Sequence, residues 1–431
     1  MPLFQKTRLH RNQWILVHQY LGLIFGLFLS ILGLSGSLLM IGEASEQLMH
    51  PSLIIDQQDT PPLELDQLLG LVRSKYPDPS GRWTIEMPQA ADQPLLLTHA
   101  DPTESESDGA ALQQIWVNPY SGVILRTATF GQTLRSWTFI LHTRLQLGLL
   151  GEGLVGALGL LLPLSIVSGL YLWWPGFAGL KRAFKIRRGL GLRVFMNDLH
   201  RLIGAILAAP LMSLALTGLG LTFPNALERL LQTNGMSHDA EGPRIQSTGN
   251  QSAGRHVSVD EAILLARGPF PKAEVREIQT PGMPTDTYRV TFRQASEPSR
   301  RHPMTSVWVD QYSGQIREVR NAARLNARER LVGAFWPFHT GEMLSSIMKL
   351  IWFLSGLSLP LLFWSGLTRW RIERGLLHDQ PIERTGWYKV IQIGANACHQ
   401  GIHEARATLL PELTARVKGL IQRLRLLRNK S

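Results

Sequence analysis

Four histidines stand out as the residues of this chain that could do chemistry, because they recur at regular distances from one short motif. They are His18, His142, His200 and His339. Each precedes a serine or threonine that is followed by glycine, and the histidine-to-glycine distances are 18, 27, 18 and 27 residues. The first histidine therefore corresponds to the third, and the second to the fourth. The four motifs are Ser35-Gly36, Ser168-Gly169, Thr217-Gly218 and Ser365-Gly366.

Equivalent positions in a twofold arrangement would let His18 face His200 and His142 face His339. Ionisable residues in or beside membrane spans are costly and usually functional, which favours a role for all four. Two imidazoles that face one flat ligand are the ligation of a b-type haem in a helix bundle, where no covalent link is needed. A zinc site, which takes four ligands in a tetrahedral cage, and a proton relay are the competing hypotheses.

Four long uncharged runs predict the elements that carry these histidines. No Asp, Glu, Lys or Arg occurs in residues 12–42, 153–180, 202–227 and 350–368. A helix that crosses a bilayer needs about 20 mostly apolar residues, and these runs lack the polar stripe of a soluble helix. The first run is about twice as long as the core of a signal peptide, which favours an uncleaved anchor. The predicted spans are residues 14–42, 142–175, 199–223 and 339–370.

The distribution of basic residues predicts the orientation of the spans. Residues 1–13 carry three Lys or Arg and no acid, and the segment 369–431 carries twelve against five acids. The loop 176–198 is also basic, and these three segments share one side of a chain with four spans. Because positive charge stays in the cytoplasm, the N-terminus, this loop and the tail 371–431 are predicted to be cytoplasmic. The excess of basic residues is thereby explained by the lipid bilayer, and a nucleic-acid partner is not predicted.

A repeated hairpin motif predicts the organisation of the two long loops, 43–141 and 224–338. Residues 116–124 read WVNPYSGVI and residues 308–316 read WVDQYSGQI. Each predicts a strand, a turn closed by Ser-Gly and a second strand. The fold class is therefore a membrane α-helical bundle of four transmembrane helices, built from two parallel repeats. Each repeat is expected to carry its own small periplasmic α+β domain.

The C-terminal tail and the single cysteine carry weaker signals. Cys398 excludes an intrachain disulfide, and a c-type haem site would need a second cysteine. From Glu404 onward the tail alternates apolar and basic residues, which is typical either of a helix lying on the anionic inner leaflet or of a solvated helix. No Gly-x-Gly-x-x-Gly follows a predicted strand, so no nucleotide or flavin site is predicted, and electrons would come from a separate donor.

In combination, these motifs resemble the PepSY-associated transmembrane proteins over about residues 12–375. The loop hairpins resemble PepSY domains. The other shared pieces are His-x-x-Leu-Gly at 18–22, Leu-His at 141–142, Asp-Leu-His-Arg at 198–201, His-x-Gly at 339–341 and Ser-Gly-Leu-Tyr-Leu-Trp-Trp-Pro at 168–175. The tail beyond residue 375 has no counterpart in this pattern.

The resemblance implies a function, because the family includes iron-regulated inner-membrane proteins and haem-containing ferric-siderophore reductases. It implies two b-type haems, with His18, His200, His142 and His339 as axial ligands of the haem iron. It also implies that electrons pass from an unidentified donor to a ferric chelate or siderophore in the periplasm, which would make the chain a transmembrane ferric-chelate reductase. PepSY domains are also associated with regulation of peptidases. The alternative is therefore a non-enzymatic membrane regulator or peptidase inhibitor with structural histidines.

Overall fold

The four uncharged runs form four long helices in the computed structural model. The structure describes residues 11–56, 60–76, 81–100, 112–187, 190–236, 245–248, 256–343 and 345–379. Within these residues, four helices are long and apolar enough to cross a membrane, and they are Arg11–Met40, Gly148–Trp173, Leu192–Thr222 and Ser346–Glu373. The chain is a multi-pass membrane protein, as predicted. The predicted tail helix and Cys398 lie outside the described residues.

The helices are numbered in chain order. They are α1 (Arg11–Tyr20), α2 (Gly26–Met40), α3 (Gly42–Met49), α4 (Leu65–Lys75), α5 (Leu134–Arg144), α6 (Gly148–Trp173), α7 (Leu180–Ala183), α8 (Leu192–Thr222), α9 (Pro224–Leu231), α10 (Val259–Ala266), α11 (Ala327–His339) and α12 (Ser346–Glu373). A π-helical segment, Leu21–Phe25, joins α1 to α2, so the first span is one continuous helix. Three-residue 3₁₀ turns occur at Pro51–Leu53, Phe177–Gly179 and Ala322–Arg324.

The helices of the second and fourth spans begin later than the predicted limits, because the chain turns after His142 and after His339. Helix α5 ends where Leu145 and Gln146 adopt φ angles of 49° and 59°, a left-handed conformation that terminates a helix. Gly341, with φ of 73°, makes the corresponding turn after α11. Both histidines therefore lie in the last turn of a short helix that precedes its span.

The two long loops build one sheet, whereas the sequence predicted a separate domain in each loop. The strands are β1 (Arg82–Glu86), β2 (Leu95–Ala100), β3 (Leu112–Val117), β4 (Ile124–Thr129), β5 (Glu274–Gln279), β6 (Thr287–Arg293), β7 (Thr305–Asp310) and β8 (Ile316–Arg320). All neighbours are antiparallel, in the order β4-β3-β2-β1-β5-β6-β7-β8. β1 pairs with β5, with Ile85 opposite Ile278 at the centre. This pairing satisfies backbone groups that would otherwise form an exposed edge in each half.

One face of this sheet carries the hydrophobic core and is covered by α4 and α10. The strands alternate, so that every second side chain, such as Ile85, Leu97, Ile115 and Val290, is buried beneath the two helices. The helices cap each other reciprocally. Asp260 accepts hydrogen bonds from the backbone amides of Leu65 and Asp66 at 3.2 and 2.8 Å. Asp66 accepts from those of Val259 and Asp260 at 2.9 and 3.1 Å, so each carboxylate closes the start of the other helix.

The repeated hairpins turn on one acidic or amide residue each. In the second hairpin, Asp310 is fully buried and accepts hydrogen bonds from the amides of Tyr312 and Ser313 at 3.0 and 2.9 Å. Its other oxygen accepts from the amide of Thr248 at 2.7 Å. In the first hairpin, the amide oxygen of Asn118 accepts the two turn bonds from the amides of Tyr120 and Ser121 at 2.9 and 3.2 Å. The two halves thus offer a natural comparison of carboxylate with amide.

We expect Asp310→Ala to lower the free energy of unfolding of the sheet by about 2–3 kcal/mol, the range for hydrogen bonds to a charged group. Asp310→Asn should cost less, because an amide keeps the two turn bonds that Asn118 makes. Burial opposes ionisation, but the bonds from Ser313 and Tyr312 hold the pKa of Asp310 below its usual value. This contribution is therefore present above pH ~4 and is lost as the pH falls below it. Urea unfolding followed by tryptophan fluorescence at several pH values measures both effects, and equal stability of wild type and Asp310→Ala would contradict them.

The chain divides into two compact units. The first is the described part of residues 1–177 and 203–366, and the second is the described part of residues 178–202 and 367–431. The second unit has its own polar contacts. Asp198 binds the guanidinium of Arg187 through both oxygens at 2.9 Å, and the side chain of Arg369 donates to that of Asn197 at 3.1 Å. These contacts order the basic segment in which His200 lies.

Candidate functional site

The structure brings His142 and His339 together, the pair that the repeat predicted. Their ring centroids are 6.2 Å apart and the ring planes are inclined by 48°. Each ring is half-buried and projects from the last turn of its helix, α5 or α11. Both helices start with a capping box, made by Thr133 with Ser136 and by Asn326 with Glu329. A capping box satisfies amides at the start of a helix and so fixes where it begins.

Each of these two histidines is held by the hydroxyl of an adjacent span. The Nδ1 atom of His142 lies 3.0 Å from the carbonyl oxygen of Leu32 and 3.2 Å from the Oγ of Ser35, both on α2. The Nδ1 atom of His339 lies 2.9 Å from the Oγ1 of Thr217 on α8. Ser35 and Thr217 are the hydroxyl residues of the motif that recurs along the sequence.

His18 is held in the same way at the other end of the first two spans. Its Nδ1 atom lies 3.1 Å from the carbonyl oxygen of Ser165 and 2.9 Å from the Oγ of Ser168, both on α6. The first and second spans are therefore joined by two reciprocal contacts. His18, in the first span, contacts Ser168 of the second span. His142, which precedes the second span, contacts Ser35 of the first span. The π-helical segment Leu21–Phe25 begins three residues after His18, and such segments frequently occur at functional sites.

The hydrogen bonds fix which nitrogen of each ring carries the proton. The hydroxyls of Ser35, Ser168 and Thr217 each donate to a carbonyl of their own helix, at 2.8, 2.9 and 2.8 Å. A hydroxyl has one proton and can then only accept from the imidazole, as a carbonyl oxygen also must. Nδ1 is therefore the protonated nitrogen of His18, His142 and His339. In a neutral ring with this tautomer, Nε2 keeps a lone pair, which is the form that binds a metal ion.

The glycines of three motifs, Gly36, Gly169 and Gly218, leave room for a histidine ring. A Cβ atom added to Gly36 would lie 2.9 Å from the Cε1 atom of His142, and one added to Gly169 would lie 2.9 Å from that of His18. At Gly218 the distance to Cε1 of His339 would be 3.1 Å. Any larger residue would displace the ring. At these three motifs the hydroxyl forms a hydrogen bond with the imidazole and the glycine leaves space for the ring. We call this hydroxyl–glycine contact surface the seat of the imidazole.

His200 lies on α8 in the second unit, where its ring is half-buried and has an interaction partner of its own. Within the described residues, no group of three or more His, Cys, Asp or Glu side chains is arranged to hold a metal ion.

One comparison with known proteins covers most of the chain. The model of a family described as the PepSY-associated TM region matches residues 15–372. The match includes the four spans, both hairpin motifs and all four histidines. No curated protein matches the chain.

Proposed function

The chain belongs to the PepSY-associated transmembrane family, and on this basis we propose that it is an inner-membrane electron-transfer protein with two b-type haems. Its reaction is the reduction of a ferric chelate, such as a ferric siderophore, in the periplasm. The observation that carries the proposal is the geometry of His142 and His339. Two neighbouring imidazoles whose Nδ1 atoms are engaged leave their Nε2 atoms as the donor set of a bis-histidine haem.

The separation of the two rings fits this ligation. Metal–imidazole bonds of about 2.0–2.1 Å on opposite sides of one metal ion put the two ring centroids roughly 6 Å apart. The observed separation of 6.2 Å agrees with that value. The bonds from Nδ1 to α2 and α8 hold the rings in this arrangement without a ligand, so that little ordering remains when a haem binds.

The second haem rests on the repeat in the sequence. His18 has the same protonated Nδ1 and the same hydroxyl–glycine seat as His142 and His339. His200 is its counterpart by spacing. We assign His18 and His200 as the ligands of a haem near the cytoplasmic side, and His142 and His339 as those of a haem near the periplasmic side.

The strand order supports the two parallel repeats. Reading outward from the β1–β5 junction, the sheet runs through β2, β3 and β4 on one side and β6, β7 and β8 on the other. The reciprocal capping by Asp66 and Asp260 has the same symmetry. This strand order and this reciprocal capping are what a twofold axis through the β1–β5 junction would produce.

The orientation follows from the positive-inside rule, with both termini in the cytoplasm and the sheet in the periplasm. A topology reporter fused after residue 90 or after residue 280 should read periplasmic, because both positions lie in or beside strands of the sheet. Fusions after residue 190 or after residue 400 should read cytoplasmic. A cytoplasmic signal at 280 would overturn both the orientation and the repeat.

The chemistry divides between the cofactor and the chain. Haem supplies a reversible one-electron couple, whose potential depends on its ligands and surroundings. The chain supplies four imidazoles, fixes the protonation of three of them through Nδ1, and surrounds them with apolar helices. It also separates the two pairs along the bilayer normal, so that electrons entering from a cytoplasmic or membrane donor leave on the periplasmic side. The donor and the ferric chelate are its partners in this proposal.

The proposal is tested by the absorption spectrum and redox behaviour of the purified protein. We expect two b-type haems per chain, reduced by dithionite and reoxidised by a ferric chelate. Iron(III) citrate and a trihydroxamate siderophore are suitable probes. A folded protein that binds no haem would overturn the proposal and favour the peptidase-regulator alternative. If the protein binds two haems but no ferric chelate reoxidises them, the electron-transfer part of the proposal stands and the reductase part is overturned.

A further inference from the structure

We propose that the motif hydroxyls Ser35, Ser168 and Thr217 are positioning residues that set the redox potentials of the two haems. The inference rests on the proposed haem ligation, and it assigns a role to a motif that the function itself does not require. Each hydroxyl would act through the histidine that it holds and would not contact the haem.

The contact has the same chemistry at all three seats. In each case the partner is Nδ1 of a histidine from another helix, the hydroxyl residue directly precedes a glycine, and the hydroxyl donates to its own helix. At two seats a second acceptor is the carbonyl three residues before the hydroxyl, which is Leu32 for Ser35 and Ser165 for Ser168. Helix packing alone would not reproduce one bonding pattern at opposite ends of the bundle.

A hydrogen bond accepted from Nδ1–H makes the opposite nitrogen a stronger donor. Outer partners of this kind orient a metal-bound histidine and raise its basicity, and their loss typically costs 10–100-fold in metal affinity or activity. A stronger imidazole donor stabilises ferric iron more than ferrous iron, because the oxidised iron carries more positive charge. Loss of the hydroxyl should therefore raise the midpoint potential of the haem whose ligand it holds.

The seats are also divided between the two proposed haems. Ser35 and Thr217 hold His142 and His339, the proposed ligands of one haem, whereas Ser168 holds His18, a proposed ligand of the other. Removing a hydroxyl should thus move one potential and leave the other unchanged. A general loss of packing would disturb both.

The chain offers a matched control in Ser30. It lies on α2 with Ser35, is buried, and donates to the carbonyl of Gly26 at 2.6 Å, but it has no hydrogen bond to a histidine among the residues that the structure describes. Ser30→Ala therefore removes a hydroxyl and a bond to the helix backbone that are equivalent to those lost in Ser35→Ala. It leaves the contacts of the proposed haem ligands unchanged. Ser35→Thr keeps the hydroxyl and serves as the conservative rescue.

The experiment is a spectroelectrochemical titration of the purified full-length protein for wild type, Ser30→Ala, Ser35→Ala, Ser35→Thr, Ser168→Ala and Thr217→Val. For Ser35→Ala and Thr217→Val we expect an upward shift of the same haem. Its reduced-to-oxidised ratio at fixed potential should rise about tenfold, or ~59 mV for a one-electron couple. Ser168→Ala should shift the other haem. Ser30→Ala and Ser35→Thr should match wild type.

A second test changes the glycine of the motif and measures haem content, a quantity that does not depend on the redox potential. Gly36→Ala should lower the haem content, because its Cβ atom would press on the ring of His142. Gly153→Ala, on α6, should not, because no atom lies within 4 Å of its added Cβ.

The outcomes separate this inference from the proposed function. A wild-type protein without haem overturns the function and the inference together. A dihaem protein whose Ser35→Ala and Ser168→Ala potentials equal those of Ser30→Ala overturns the inference alone.

Discussion

The double variant His142→Ala/His339→Ala should contain one haem per chain instead of two and should lose ferric-chelate reduction by about a hundredfold or more. The two imidazoles are the only donors that the proposal gives to the periplasmic haem, and a haem without a covalent link is retained by its axial ligands and its pocket. Haem content by pyridine haemochrome and reoxidation by iron(III) citrate in stopped flow measure the two effects.

The remaining haem is the internal check on this variant. It should still be reduced by dithionite, because His18 and its seat on α6 are distant from the change. His256→Ala is a suitable control, since His256 is exposed and stacks on Tyr312 at 5.1 Å in the sheet domain, away from the four ligands. Retention of two haems and normal reduction by the double variant would show that this pair is structural.

The double variant His18→Ala/His200→Ala should stop electron transfer across the bilayer while leaving a functional periplasmic haem. The distance between the two proposed haem sites can be estimated along the first span. Gly36 contacts the ring of His142 and lies 18 residues after His18, a rise of about 27 Å at 1.5 Å per residue. Because this gap covers most of a bilayer core, a single haem at one end leaves electrons without an intermediate site.

Proteoliposomes make the expected result measurable. With a reductant sealed inside and a ferric chelate outside, wild type should transfer electrons, and the variant should fall to the leak rate of empty vesicles. With dithionite added from outside, the haem of the variant should still be reduced and then reoxidised by the chelate. Transfer at the wild-type rate through the variant would refute the assignment of His18 and His200.

The spans could be predicted from the sequence because a bilayer imposes one requirement, a long apolar helix, on local composition. The end of α5 could not, because the left-handed residues that end it are Leu145 and Gln146, which are not turn-forming types. The joining of the two loops into one sheet could not be predicted for a different reason. Alternation along β1 and β5 predicts which face is buried but not which strand completes the edge.

The contacts between the motifs and the histidines could be predicted from the sequence only in part. Their signal was present as a hydroxyl–glycine motif at fixed spacing, and it was sufficient to establish the correspondence of the four segments. The roles of Ser35 and Ser168 depend on contacts with histidines of other helices, His142 in the last turn of α5 and His18 on α1. Spacing along one chain does not contain that contact, so the pairing of motif with histidine required the structure.

The shared sheet has a consequence for how a substrate is selected. Many two-lobed binding proteins grip a ligand by rotating one lobe against the other on a few flexible residues. Here the corresponding boundary is a strand pair, Thr84 to Glu86 with Glu277 to Gln279, reinforced by four amide–carboxylate bonds between α4 and α10. Opening it would break all of these at once. If the proposed reduction takes place against this sheet, the ferric complex meets a rigid platform, and discrimination among complexes depends on the fit to that fixed shape and not on the closure of two lobes.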